Sequence, residues 1–67
     1  PPQSDKDRTL RVTLMENGQE VVKYEGTIAA GTNTAMLIPV SSDEGGELTC
    51  RIYLDGELFA EETATLQ

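Results

Sequence analysis

With no histidine in this 67-residue sequence, carboxylates are the main acid–base groups that remain, beside a single thiol and two tyrosines. Losing the usual general base excludes hydrolytic triads and most zinc sites, and no G-x-S-x-G, phosphate-cradling glycine loop or H-E-x-x-H pattern occurs. Paired carboxylates hydrolyse glycosides when they face each other across a cleft. Glu61 and Glu62, however, are neighbours on an expected strand, where adjacent side chains point to opposite faces, so they read as surface charge. Asp43, Glu44 and Glu47 flank Gly45-Gly46 and offer the oxygens a hard cation wants, but their spacing matches no calcium loop and a solvated acidic loop is expected. Cys50 has no second cysteine to pair with, which rules out an internal disulfide, a C-x-x-C motif or a cysteine zinc cluster. An inert core thiol is expected there, since a reactive one would want a histidine beside it. No catalytic, cofactor-binding or metal-binding residue is assigned.

The remaining candidate is a contact surface formed by Arg51, Tyr53 and Phe59. The register expected for the last hairpin sets Arg51 opposite Phe59 with Tyr53 as its diagonal neighbour, and exposed rings beside an arginine often mark interfaces. Cross-strand aromatic pairs are also a routine way to stabilise a small sheet, and this structural reading carries more weight.

These residues must be positioned by strands. Apolar side chains recur at every second position, as in Leu10, Val12 and Leu14, then Val22, Tyr24 and Ile28, then Met36, Ile38 and Val40. The pattern resumes with Leu48, Cys50, Ile52 and Leu54, and with Leu58, Ala60, Ala64 and Leu66. A period of two means strands with one buried face. Asn17-Gly18 and Asp55-Gly56 supply the positive φ that tight hairpins need. A two-residue loop at Asn17-Gly18 would set Val12 opposite Lys23, so parity predicts three-residue loops with a glycine bulge, pairing Val12 with Val22 and Leu10 with Tyr24. The same choice sets Ile52 opposite Leu58, Cys50 opposite Ala60, and Glu62 awkwardly on the apolar face opposite Leu48. Residues 29–33 read as a turn, 34–40 as a third strand at an edge or bulge because of Pro39, and 41–46 as an exposed loop.

Five strands and no helical window imply an all-β fold, a small five-stranded β-sandwich, with a partly closed β-barrel as the alternative. Residues 1–8 are polar and carry two prolines, the composition of a linker or extended lead-in, and residues 9–67 form a single domain. A chain of this size buries only about 60% of the surface exposed when unfolded, leaving little material for the walls of an enclosed reaction centre. The net charge of −7, with five basic residues scattered rather than striped, makes nucleic acid a poor partner, and the acidity reads as solubility. No run approaches the ~20 apolar residues of a membrane span, so no membrane contact is expected from this segment itself.

The order Leu10-Arg11-Val12-Thr13-Leu14, Asn17-Gly18, Tyr24-Glu25-Gly26-Thr27 and Cys50-Arg51-Ile52-Tyr53-Leu54-Asp55-Gly56-Glu57-Leu58, followed by an acidic tail, resembles small immunoglobulin-like modules of Gram-positive bacterial surface proteins. In particular it looks like the domain that closes the extracellular region of PASTA-containing, membrane-spanning serine/threonine protein kinases. The resemblance covers nearly the whole chain. It implies an immunoglobulin-like β-sandwich and an extracellular, cell-surface, non-catalytic module that acts as cap, spacer or auxiliary sensor. Its implied partners are cell-wall fragments such as peptidoglycan, or another surface protein. The chain lacks the V-P-x-x-x-G segment of a PASTA repeat and every kinase motif, so the resemblance assigns no binding residue and places no kinase activity here. Two other readings stand beside this one: a structural or adhesive repeat of another bacterial surface protein, and a carbohydrate-binding accessory module of a secreted hydrolase that uses the Tyr53 and Phe59 face.

Overall fold

The computed structural model describes residues 5–33 and 35–66. Four strands, β1 (Arg8–Glu16), β2 (Gln19–Ile28), β3 (Gly46–Leu54) and β4 (Glu57–Leu66), form one antiparallel sheet in the order β2-β1-β3-β4. Two hairpins therefore meet along β1 and β3, where Leu10 to Leu14 face Leu54 to Cys50. Among the described residues there is no helix, and hence none long and apolar enough to cross a membrane.

The turns are two residues long, not three. Asn17 (φ 52°) with Gly18 (φ 76°), and Asp55 (φ 52°) with Gly56 (φ 85°), both hold the paired positive φ of a type I′ turn, whose twist matches that of the flanking strands. The parity conflict this creates is resolved further along. In the first hairpin Thr13 faces Val22 and Val12 faces Tyr24, leaving Lys23 as the extra residue of a bulge. In the second, Tyr53 faces Leu58 and Ile52 faces Ala60, leaving Phe59 extra. Past each bulge the even-numbered residues return to a common face, so Leu10 lies opposite Gly26, Cys50 opposite Glu62 and Leu48 opposite Ala64. The expected pairings of Val12 with Val22, Leu10 with Tyr24, Ile52 with Leu58, Cys50 with Ala60 and Leu48 with Glu62 are each displaced by two residues on the outer strand. Val22 and Leu58, on the turn side of the bulges, are left half-exposed on the opposite face.

A third strand over 34–40 does not form within the described residues; Thr34, its expected start, lies outside them. The reason is topological. Strands β2 and β3 both run antiparallel to β1 and flank it, so residues 29–45 must carry the chain from one end of the sheet back to the other. Over 37–44 this crossover is half-buried at Ile38, Val40, Ser42 and Glu44 and exposed at the residues between, the alternation of an extended chain lying on a surface. Pro39 has no N–H to give to a ladder, and the segment pairs with neither edge strand, its Ser42 instead reaching Glu16 on the even-numbered face of β1. On that same face Leu10, Val12 and Leu14 are the only apolar side chains among the described residues that are buried, with Leu14 fully enclosed. Five strands in two packed sheets are thus replaced by one four-stranded sheet with an extended strap. Edge strands β2 and β4 do not pair with each other, so the barrel is not closed.

Three contacts fasten the periphery. Asp7 Oδ1 accepts the Ala30 amide at 2.9 Å, tying the lead-in to the start of the strap. At the other end Lys23 Nζ sits 2.9 Å from Glu16 Oε2. That ammonium, and then the Ser42 hydroxyl of the strap, hold the Glu16 carboxyl below its ordinary pKa. Ser42 Oγ in turn accepts the Glu44 amide at 3.1 Å, a local turn of the kind serine favours.

Candidate functional site

The face of the sheet away from the strap carries the odd-numbered residues of β1 and β3, and its centre is polar. Glu20, two residues beyond the Asn17-Gly18 turn, is opposite Met15 and projects toward the sheet centre. Its carboxylate accepts from Thr13 Oγ1 on β1 at 2.8 Å, from the Tyr53 hydroxyl on β3, and from Arg51 Nη1 on β3 at 3.3 Å. Arg51 also donates through Nε to Glu61 Oε2 on β4 at 2.7 Å and leans its Nη1 toward Met15 Sδ at 3.9 Å. The result is a transverse girdle, Glu20 to Arg51 to Glu61, that reaches from one edge strand to the other over β1 and β3. Arg11 completes it, its guanidinium carbon 4.9 Å from the centroid of the Tyr53 ring, a cation–π distance.

The electrostatics follow from these partners. Hydrogen bonds from Tyr53 and then Thr13, with Arg51 adding its charge, hold Glu20 below the usual carboxylate range. The same contact pushes Tyr53 above the usual phenol value, because ionising it would set two anions against each other. Glu61 makes Arg51 harder still to deprotonate. A carboxylate with a lowered pKa that already accepts from three donors is a weak base, and a phenol with a raised pKa is a weak nucleophile. The arrangement suits holding strands together rather than moving protons.

Of the expected contact residues, Arg51 and Tyr53 are brought together and Phe59 is not. Arg51 lies opposite Glu61 rather than Phe59, because the two-residue turn and the bulge each displace β4 by one residue from the expected register. Phe59 is that bulge residue, 70% exposed, with no partner across the ladder. Glu20 and Arg11 were hidden from sequence reading. A three-residue loop would have put Glu20 opposite Leu14 on the inner face, whereas the two-residue turn signalled by Asn-Gly puts it on the outer one.

The other carboxylates stay dispersed. Asp43 is exposed in the strap, Glu44 half-buried, and Glu47 exposed at the start of β3 opposite Thr65. Among the described residues no group of three carboxylate or thiol side chains is placed to hold a metal ion. Glu61 and Glu62 point to opposite faces, the first to Arg51 and the second toward Cys50. The Cys50 thiol is half-buried, and burial first, with Glu62 adding to it, raises its pKa away from the reactive thiolate.

Fold and site together define a small all-β module, one open antiparallel sheet bound by a polar girdle. The chain matches no family model, no curated protein and no solved structure.

Proposed function

We propose that this chain is a non-catalytic, extracellular module of a membrane-spanning serine/threonine protein kinase that senses the cell wall, serving there as cap, spacer or auxiliary sensor. The observation that carries the non-catalytic part is the saturation of the central polar residues, since Glu20, Arg51 and Tyr53 are committed to one another across three strands. The surface-receptor part is supported by the resemblance of the two hairpins and their Asn-Gly and Asp-Gly turns to immunoglobulin-like modules of such receptors. In this reading the sheet is one layer of a reduced immunoglobulin-like sandwich, and the strap over 37–44, with its alternating burial, stands in place of the second layer.

The coding sequence around this segment tests the assignment. PASTA repeats and a single membrane span upstream are expected; tandem copies of the same unit instead would replace it with the structural or adhesive reading. Within the module, amide chemical shifts recorded while muropeptides are added separate the roles. Changes centred on one face mark a sensor, and an unchanged spectrum marks a cap or spacer.

A further inference from the structure

The start of β1 and the end of β4 lie at opposite ends of the molecule. Strand β1 runs antiparallel to β3 and β3 antiparallel to β4, so β1 and β4 point the same way. Arg8 sits at the end marked by Ile28 and the Asp55-Gly56 turn, and Leu66 sits opposite Gly46 at the other. The molecule is 38 Å long and only 20 by 17 Å across, and strands of nine and ten residues span roughly 30 Å, so they run along the long axis.

From this geometry we infer that the module is a load-bearing element, built to resist tension applied between its two ends. Pulling on β1 at Arg8 and on β4 at Leu66 drives the two strands in opposite directions along the long axis, with β3 between them. Antiparallel ladder bonds lie perpendicular to the strands, so this load falls on the β1–β3 and β3–β4 ladders in shear and their bonds must yield together. The point where force enters β1 is reinforced. The Asp55 amide donates to the Thr9 carbonyl at 2.9 Å, the Thr9 amide donates to Asp55 Oδ1 at 2.9 Å, and Arg8 Nε donates to Asp55 Oδ2 at 3.1 Å. These contacts extend the clamp beyond Leu10 and Leu54, the last ladder pair at that end. The girdle from Glu20 through Arg51 to Glu61 lies across the load and opposes the sliding of one strand past the next. The inference rests on strand direction and on these cross-strand contacts, not on which protein the module belongs to.

Single-molecule force spectroscopy tests it. The Glu47→Cys, Cys50→Ala variant of the full chain is held between marker modules and pulled in two ways. One pull runs end to end; the other runs between residue 47 and the C-terminal end, which lie on paired strands at the same end of the sheet. Complete end-to-end unfolding lengthens the tether by roughly 170 Å. The expected result is a several-fold higher unfolding force end to end than across the hairpin, where the ladder opens one pair at a time. Arg8→Ala, which removes a clamp donor on β1 and leaves the β3–β4 turn intact, is expected in the same background to lower the end-to-end force and leave the hairpin force unchanged. Equal forces in the two directions overturn the inference. The unmodified chain gives an independent reading through the loading-rate dependence of its unfolding force: a short extension to the barrier supports shear, and a long one, the mark of peeling, overturns it.

Discussion

Tyr53 on β3 donates its hydroxyl to Glu20 on β2, reaching across the full width of β1, which lies between them. Glu20 therefore accepts from two strands other than its own, and from three side chains, whereas Glu61 accepts from Arg51 alone among the bonds of the girdle. Removing an acceptor shared by several donors strands all of them, so the two carboxylates are unequal in worth. Glu20→Ala is expected to lower the melting temperature more than Glu61→Ala. Arg51→Lys should also fall short of the parent, because an ammonium cannot present the planar fork that reaches Glu20 and Glu61 at once. Thermal denaturation of the three variants under one buffer gives the ranking, and equal losses would remove Glu20 from the centre of the network.

The same contacts make stability depend on pH in a direction that can be stated. Glu20 has a folded pKa below its unfolded value, so what its charge contributes is fully present above the unfolded carboxylate range, near pH ~4.3, and is lost as pH falls through the folded pKa. The difference in melting temperature between the parent and Glu20→Gln should accordingly be constant at neutral pH and shrink on acidification. Comparing the two proteins cancels the general relief of repulsion that acid brings to a chain of net charge −7. Tyr53 behaves oppositely: its folded pKa is raised, so its contribution is complete below pH ~10 and fades as pH climbs through the folded value. A gap that ignores pH would show that the Glu20 charge is immaterial.

Four of the five expected strands, the places of both turns and the shared interior of Leu10, Val12 and Leu14 were legible in the sequence because each is a local matter of period or φ. The need for a parity switch was legible too, since no straight register keeps Val12 and Leu14 with apolar partners on one face. Its location was not. A switch can sit in the turn or anywhere along the strand, and here Lys23 and Phe59 carry it, several residues from Asn17-Gly18 and adjoining the first pairs after Asp55-Gly56, respectively. Placing it at the turn rotated Glu20 to the wrong face and paired Arg51 with the wrong residue, so one misplacement cost the girdle. The 34–40 segment failed for a different reason. Alternating Met36, Ile38 and Val40 predicts an extended chain lying on a surface, and alternation is the same whether that chain pairs with a neighbour or crosses over a sheet.

Gly26 illustrates how a strand glycine can be needed without a positive φ. A Cβ at this position would come within 2.8 Å of Tyr24 Cζ, because the Tyr24 ring lies along β2 over the glycine. Elsewhere in a chain Gly→Ala at a permitted φ stabilises by about 0.4–1 kcal/mol through the unfolded state. Here the ring must swing away, so Gly26→Ala is expected to destabilise. The discriminating measurement is a double-mutant cycle by urea denaturation: in a Tyr24→Ala background the substitution at Gly26 should become neutral or stabilising. Additive effects would mean that the ring and the glycine do not communicate.

The thinness of the core sets the largest expected effect. Leu14 is fully enclosed, and only Leu10 and Val12 join it as buried apolar side chains among the described residues. Truncating a core leucine to alanine costs about 2–5 kcal/mol through lost transfer energy and the cavity left behind. A single core in a chain this small supplies no more than about 3–5 kcal/mol of stability. Leu14→Ala should therefore leave a large fraction of the molecules unfolded at room temperature, seen as lost amide dispersion and a urea midpoint near zero. Leu37, in the strap itself but 99% exposed, makes the control, and Leu37→Ala should be silent in the same assay. If Leu14→Ala instead unfolds at nearly the parent's urea concentration, the strap does not seal the face of β1, and the stability of the sheet must come from its ladders and the outer girdle.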